Sequence, residues 1–199
     1  MTSTITIARI TTLVIVILWF VLYWQGGRQL VKGLRSKNSD PAKYNDRPLV
    51  LLIAVLSMIV WIGGLLLIRK RIPWTDSDTT RILAYVGLGM TLIGTLGVSF
   101  SRRQLGPYWS AETHVRQDHQ VVASGPYRIV RHPFYAFAIL QCIGTCMVFP
   151  TILNIIALVL ICLCFVLKTI GEDRNIASRI SGYQDYARQV PYLLIPRIW

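Results

Sequence analysis

The run FYAFAILQCIGTCMVFPTILNIIALVLICLCFVLKTI, residues 134–170, decides the fold. Its first charged side chain is Lys168, close to its end. At roughly 37 residues it is too long for one helix across a hydrocarbon core of about 30 Å and just long enough for two. Pro150 and Asn154 sit at its middle. Proline removes a backbone donor and blocks the preceding turn of a helix, so the run is expected to fold back there as a tight helical hairpin.

Working outward, three more apolar runs of spanning length appear: Ile5 to Tyr23, Pro48 to Ile68 and Ile82 to Phe100. The third carries Gly87, Gly89, Gly94 and Gly97, small residues that let neighbouring helices approach closely. The composition agrees. Hydrophobic residues make up 53% of the chain and charged residues only 15%, with a mean hydropathy of +0.49. A soluble domain carries about 25% charge. The expected fold is all-α: a polytopic membrane protein with about five transmembrane helices, the last two forming the tight hairpin.

The N-terminal run follows Arg9, as a secretory signal would, but Trp24, Gln25 and Gly26 follow it in place of a small-residue cleavage site. It is therefore read as a retained first span. The four cysteines, Cys142, Cys146, Cys162 and Cys164, all lie in apolar runs. Their spacing fits neither a zinc site nor a disulfide framework. They read as small apolar packing residues, and no metal is expected.

Five spans place the two termini on opposite sides. One side then gathers 16 of the 21 Lys and Arg residues and the other gathers 5. The positive-inside rule puts the first group in the cytoplasm, hence the N-terminus outside and the C-terminus inside. The formal charge of +12 fits loops facing an anionic leaflet. Residues 36–47 read as a polar connector and residues 73–80 as a short external loop. The two polar segments of chemical interest, 101–132 and 171–199, share the cytoplasmic face, which is the premise for a single pocket there.

The first of these segments ends in Gly125-Pro126-Tyr127-Arg128-Ile129-Val130-Arg131-His132-Pro133-Phe134-Tyr135. Gly-Pro signals a turn through which backbone can approach a ligand. Arg131 offers a forked donor suited to a carboxylate. His132 donates, accepts or titrates near neutrality. Pro133 suits the first position of the fourth helix, with Tyr135 within its first turn. As a purely structural alternative, Arg128, Tyr127 and Phe134 would serve as interfacial anchors. The second segment holds Glu172-Asp173, Gly182-Tyr183, Tyr186, Arg188 and a proline-bearing tail. Paired acids beside apolar membrane need partners, either nearby arginines or a cationic ligand. Gly182 is placed at the end of the helix that continues the fifth span. Leu105-Gly106-Pro107-Tyr108-Trp109-Ser110 reads as an interfacial turn or a pocket wall, and His114 and His119 as exposed loop residues.

No phosphate loop, dinucleotide fingerprint or HExxH motif is present. The long apolar runs lack the acids that a proton-coupled transporter needs. The basic loops lack the stacking platform of a single-strand nucleic-acid binder.

In their order and spacing these motifs resemble the isoprenylcysteine carboxyl methyltransferase family of integral membrane enzymes. The resemblance rests on Gly125-Pro126-Tyr127-Arg128, Arg131-His132-Pro133 with Tyr135, Glu172-Asp173, Gly182-Tyr183, Tyr186 and the tail Pro196 to Trp199, preceded by Leu105-Gly106 and Trp109-Ser110. It covers residues 102–199, a catalytic half; residues 1–101, with three spans, show no matching motif. It implies S-adenosylmethionine as cofactor and a lipophilic acceptor, a small molecule or prenylated chain, entering from the membrane. It implies Gly125, Pro126, Tyr127, His132, Tyr135, Glu172 and Asp173 as cofactor-binding residues. Arg131 and Arg188 would orient an acceptor carboxylate, and Glu172 or His132 would deprotonate a thiol or amine acceptor. The family often carries two glutamates where this chain has Glu172-Asp173. Two other readings remain open on the sequence: an NADPH-dependent sterol-type reductase, and a non-enzymatic lipid-binding or transport protein.

Overall fold

A computed structural model describes residues 4–22, 46–67, 78–109 and 120–199. Six α-helices and two single 3-10 turns make up the described structure, and among these residues there is no strand. The helices are α1 (Thr4–Leu22), α2 (Arg47–Leu67), α3 (Asp78–Leu105), α4 (Pro133–Val148), α5 (Ile152–Ala177) and α6 (Tyr183–Gln189). The 3-10 turns are Gly106–Tyr108 and Gly125–Arg128. Residues 36–45 of the expected connector, residues 73–77 of the expected loop, Ser110, His114 and His119 lie outside the described residues.

The expected hairpin is there, and its turn has a local cause. α4 starts on Pro133 and ends at Val148. Thr151 caps α5, its hydroxyl accepting from the Asn154 amide at 3.1 Å. The Asn154 side chain then donates 2.8 Å to the Phe149 carbonyl left over from α4. Asn154 thus closes the turn from one side and caps it from the other.

The closest seam lies elsewhere, between α3 and α4. A Cβ on Gly94 would stand 2.6 Å from the Gln141 backbone nitrogen, and one on Gly87 2.7 Å from the Gly144 carbonyl. Backbone is therefore packed on backbone, as small residues permit. Gly97 also faces α4, against Phe137, whereas Gly89 faces open space and takes no part. Thr91, Thr95 and Ser99 return their hydroxyls to the carbonyls four residues back, at 2.8–2.9 Å, which satisfies the buried Thr91 and the half-buried Thr95 and Ser99 within α3. α1 lies along the other side of α3, where Leu13 meets Val148, Phe149 and Leu88. Arg9, which reads as a flanking charge in the sequence, is buried within α1.

α2 is packed chiefly on α5, with Leu56 and Val60 joining Tyr135, Ala157, Ile161 and Phe165 in one core cluster. Two helices, α3 and α5, are long and apolar enough to cross a membrane, and α4 and residues 47–60 of α2 form shorter apolar helices. The outer faces of α2, α3 and α5 are rich in exposed apolar side chains, such as Val55, Ile62, Ile82, Leu96, Val159 and Leu163. α5 ends at Ala177, before Gly182. That glycine instead precedes α6 in the left-handed conformation, φ 79°, which turns the chain back over the helix ends.

Candidate active site

At one end of the bundle the chain after α3 is folded against the ends of α4 and α5. Gly125 takes φ 56°, which glycine adopts without strain, and the turn Gly125–Arg128 swings Tyr127 inward to full burial. The next residues are held by the C-terminal segment. The Arg131 and His132 amides donate to the Tyr192 and Leu193 carbonyls at 2.8 and 2.9 Å.

Arg131 is the centre of this clamp. Its Nε and Nη2 grip the Asp173 carboxylate at 2.9 and 3.2 Å, a bidentate pair. Its Nη1 reaches the carbonyls of Ala187, Val190 and Pro191 at 3.2–3.4 Å. All three guanidinium nitrogens are thus engaged within the chain. Asp173 also receives the Tyr183 hydroxyl at 2.6 Å and lies 3.2 Å from His132 Nε2. His132 stacks on Tyr135, ring centres 5.9 Å apart. The Tyr135 hydroxyl donates to Glu172, whose carboxylate has no other partner among the described residues. Tyr186 donates 2.7 Å to the Tyr127 carbonyl.

These groups surround the head of a cavity of about 380 Å³. Tyr127, Arg131, His132, Tyr135, Glu172, Tyr183 and Tyr186 line the head, together with Tyr108 and Trp109. The Arg102 guanidinium sits 4.0 Å over the Trp109 ring, so the turn after α3 is a pocket wall. Beyond Lys168 the space continues as an apolar gallery between α2, α4 and α5, past Ile53, Met58, Cys142, Leu158 and Phe165. The cysteines are free, and no cluster of potential metal ligands occurs among the described residues.

Burial decides the protonation of the head. It pushes the Tyr127 phenol far up, with the Glu172 charge adding to the effect. It pushes Tyr183 far up as well, helped by the hydrogen bond to Asp173. Tyr186 is pushed up to about 12, mainly by burial, with Arg131 pulling the other way. All three are neutral donors across the physiological range. The Tyr127 hydroxyl is buried with no partner.

The structure therefore brings Tyr127, Arg131, His132, Tyr135 and Glu172 together on the cavity wall. Gly125, Pro126 and Asp173 stand behind that wall and shape it. Arg188 does not reach it. Its side chain is exposed and meets Asp185 at 3.3 Å, one turn back on α6. Two groups escaped the sequence reading: Lys168, on the wall, and Asp46, its ion-pair partner before α2. Lys168 reads as one more flanking charge. The signal that marks it is its place four residues before Glu172, on the same face of α5.

Residues 87–178 match the model of the isoprenylcysteine carboxyl methyltransferase family. The match takes in 92 of the 199 residues, just under half of the chain. The matched span takes in most of α3, all of α4 and all of α5, the helices that frame the head of the cavity. Two rice proteins named probable protein-S-isoprenylcysteine O-methyltransferase, from Oryza sativa subspecies indica and japonica, are each 28% identical over 119 residues. The alignment covers 54% of this chain and 59% of theirs. A protein of Cupriavidus metallidurans named cobalt-zinc-cadmium resistance protein CzcN is 31% identical over 108 residues, 53% of this chain and 49% of its own. The chain thus spans about half to three-fifths of the length of these relatives.

Proposed function

We propose that this protein transfers a methyl group from S-adenosylmethionine to a lipophilic acceptor, with an S-prenylated cysteine carboxylate as the acceptor class. The observation that carries the reading is Glu172: a carboxylate that forms no ion pair among the described residues, in an aromatic cavity that opens into an apolar gallery. Two other acids stand close, but each is neutralised, Asp173 by Arg131 and Asp46 by Lys168. The head therefore carries one uncompensated negative charge. A half-buried charge of that kind favours a cationic ligand.

The residues fit a sulfonium cofactor with an ammonium group. Glu172 supplies the opposite charge. Tyr127, Tyr183, Tyr186 and Trp109 supply aromatic faces that attract a cation, worth about 0.5–2 kcal/mol each. The unpartnered Tyr127 hydroxyl supplies a free hydrogen-bonding group. When bound, the cofactor would supply its sulfonium methyl carbon, so that the C–S bond breaks as the acceptor oxygen bonds to carbon and a neutral thioether leaves.

The chain's own contribution is positional. A carboxylate acceptor is ionised at neutral pH, with a reference pKa of about 3.3–3.9, and needs no general base. Alignment in a dry site is what remains, and it can lower a barrier by several kcal/mol. Arg131 acts as a positioning residue in this reading: through Asp173 and the carbonyls of residues 187–191 it holds the roof of the head. Tyr135 sets the orientation of Glu172. Glu172 would serve as base only for a thiol or amine acceptor.

Five membrane spans, with the head of the cavity at the cytoplasmic face, complete the proposal. The apolar exposed faces of α1, α2, α3 and α5 and the Lys/Arg imbalance of 16 to 5 support it. The family match does not favour the reductase alternative. Calorimetric titration of the detergent-purified protein with S-adenosylhomocysteine, beside NADPH, tests the reading. Micromolar binding of the first alone is expected; binding of NADPH alone, or of neither by folded protein, would refute it.

A further inference from the structure

The cavity wall carries two cations, Arg131 and Lys168. Each Arg131 guanidinium nitrogen already has a partner within the chain. Lys168 is different. Its ammonium points at a single carboxylate, Asp46, from a segment 122 residues away in the sequence. Both are almost fully buried, 3% and 1% exposed. Taking two charges out of water costs several kcal/mol per ion, and a buried ion pair is often no more stabilising than an apolar pair of the same size. Stability alone gives this pair no reason to line a ligand cavity.

Its location gives one. Lys168 and Glu172 are one turn apart on the same face of α5, about 6 Å along the helix at 1.5 Å per residue. Tyr135 connects them, its hydroxyl donating to Glu172 and its ring centre 5.8 Å from the Lys168 ammonium. The head therefore presents a carboxylate and an ammonium side by side, with the apolar gallery beginning next to the ammonium. Asp46 precedes the first residue of α2, where the helix N-terminus welcomes a negative charge with or without Lys168.

We infer that Lys168 is the group that receives the acceptor's carboxylate, and that the Asp46 carboxylate is a surrogate from within the chain which an acidic acceptor displaces. The inference rests on the methyltransferase reading and deepens it: the acceptor is an anion on a lipophilic body. It also gives α2, which lies outside the family match, a part in acceptor binding through Asp46 and the gallery wall.

The test uses purified protein, N-acetyl-S-farnesylcysteine as the acidic probe, its primary carboxamide as the uncharged control, and S-adenosylhomocysteine as the cofactor-site control. Wild type is expected to bind the acid at least about tenfold more tightly than the amide, as one charge-assisted contact allows. Lys168→Met should abolish that preference, and Lys168→Arg should keep it, with S-adenosylhomocysteine affinity unchanged in both. Asp46→Asn should move the other way, tightening acid binding and lowering the acceptor KM severalfold. A pair that is merely structural would weaken binding in both variants alike. Equal binding of acid and amide by wild type, or weaker acid binding by Asp46→Asn, overturns the inference. Should Lys168→Met fail to fold, those two results still decide it. Failure of wild type to bind S-adenosylhomocysteine would sink the methyltransferase reading, while the acid–amide comparison would still judge Lys168.

Discussion

The two long seams of this bundle solve opposite problems. Between α3 and α4 the glycines at 87, 94 and 144 bring backbone onto backbone and leave no room for anything else. Between α2 and α5, joined by α4, the packing is incomplete: side chains meet at Leu56, Val60, Ile161 and Phe165, and a cavity runs past them. The first seam fixes the distance between helices. The second leaves space for a ligand and lines it with charge. On the proposed reading the two are complementary: the loose seam holds the lipophilic acceptor and the rigid one sets the spacing around it.

The comparison can be broken most severely where the seams are tied together. Asp173→Ala leaves Arg131 without its counter-charge, and removing one partner of a mostly buried pair is expected to destabilise by about 3–5 kcal/mol. Thermal unfolding in detergent, and loss of the 187–194 segment's protection in hydrogen exchange, would show it. Glu172→Ala acts inside the open seam and leaves the packing alone. It is expected to lower S-adenosylhomocysteine affinity about 100-fold or more, since truncating one partner of a buried charge pair costs about 2–5 kcal/mol. A calorimetric titration reads this directly, and unchanged affinity would remove the cation site from the proposal. Gly94→Ala acts only on the closed seam. Its new methyl meets Gln141 backbone, so a loss of about 1–3 kcal/mol is expected, visible as a lowered melting temperature. Gly89→Ala is its control, with open space to fill and no loss expected. Arg188→Ala sits at the bottom of the scale. As an exposed i,i+3 pair with Asp185 it should change stability by less than about 1 kcal/mol and leave methyl transfer intact. A large drop in turnover would restore Arg188 to the site.

What the sequence discloses and what it hides follow the same division. Pro133 as a helix start and the break at Pro150 and Asn154 are local effects, written in adjacent residues, and the structure has them. The glycines of the third apolar run point correctly to close packing, though not to which of them face a partner: Gly89 looks the same in sequence as Gly87. The candidate site is legible as two clusters and illegible as a network. Arg131 presents itself as a free anion receptor because its partners, Asp173 and three backbone carbonyls, come from 42 to 60 residues away. Arg188 presents itself as a site residue because helical phase on a seven-residue helix cannot be read from spacing alone. Asp46 and Lys168 are each ordinary at the edge of an apolar run. Only tertiary structure makes them a pair.

The grip of Arg131 and His132 on residues 187–193 also sets an order of events during synthesis. Much of the cavity wall is already in hand once α5 has left the ribosome, yet Tyr183, Tyr186 and the roof of the head arrive later. Until then Arg131 and Asp173 can pair, but the carbonyls that orient the guanidinium are missing and the head stays open to water. In a nascent chain the head is therefore unfinished until residues 187–193 dock.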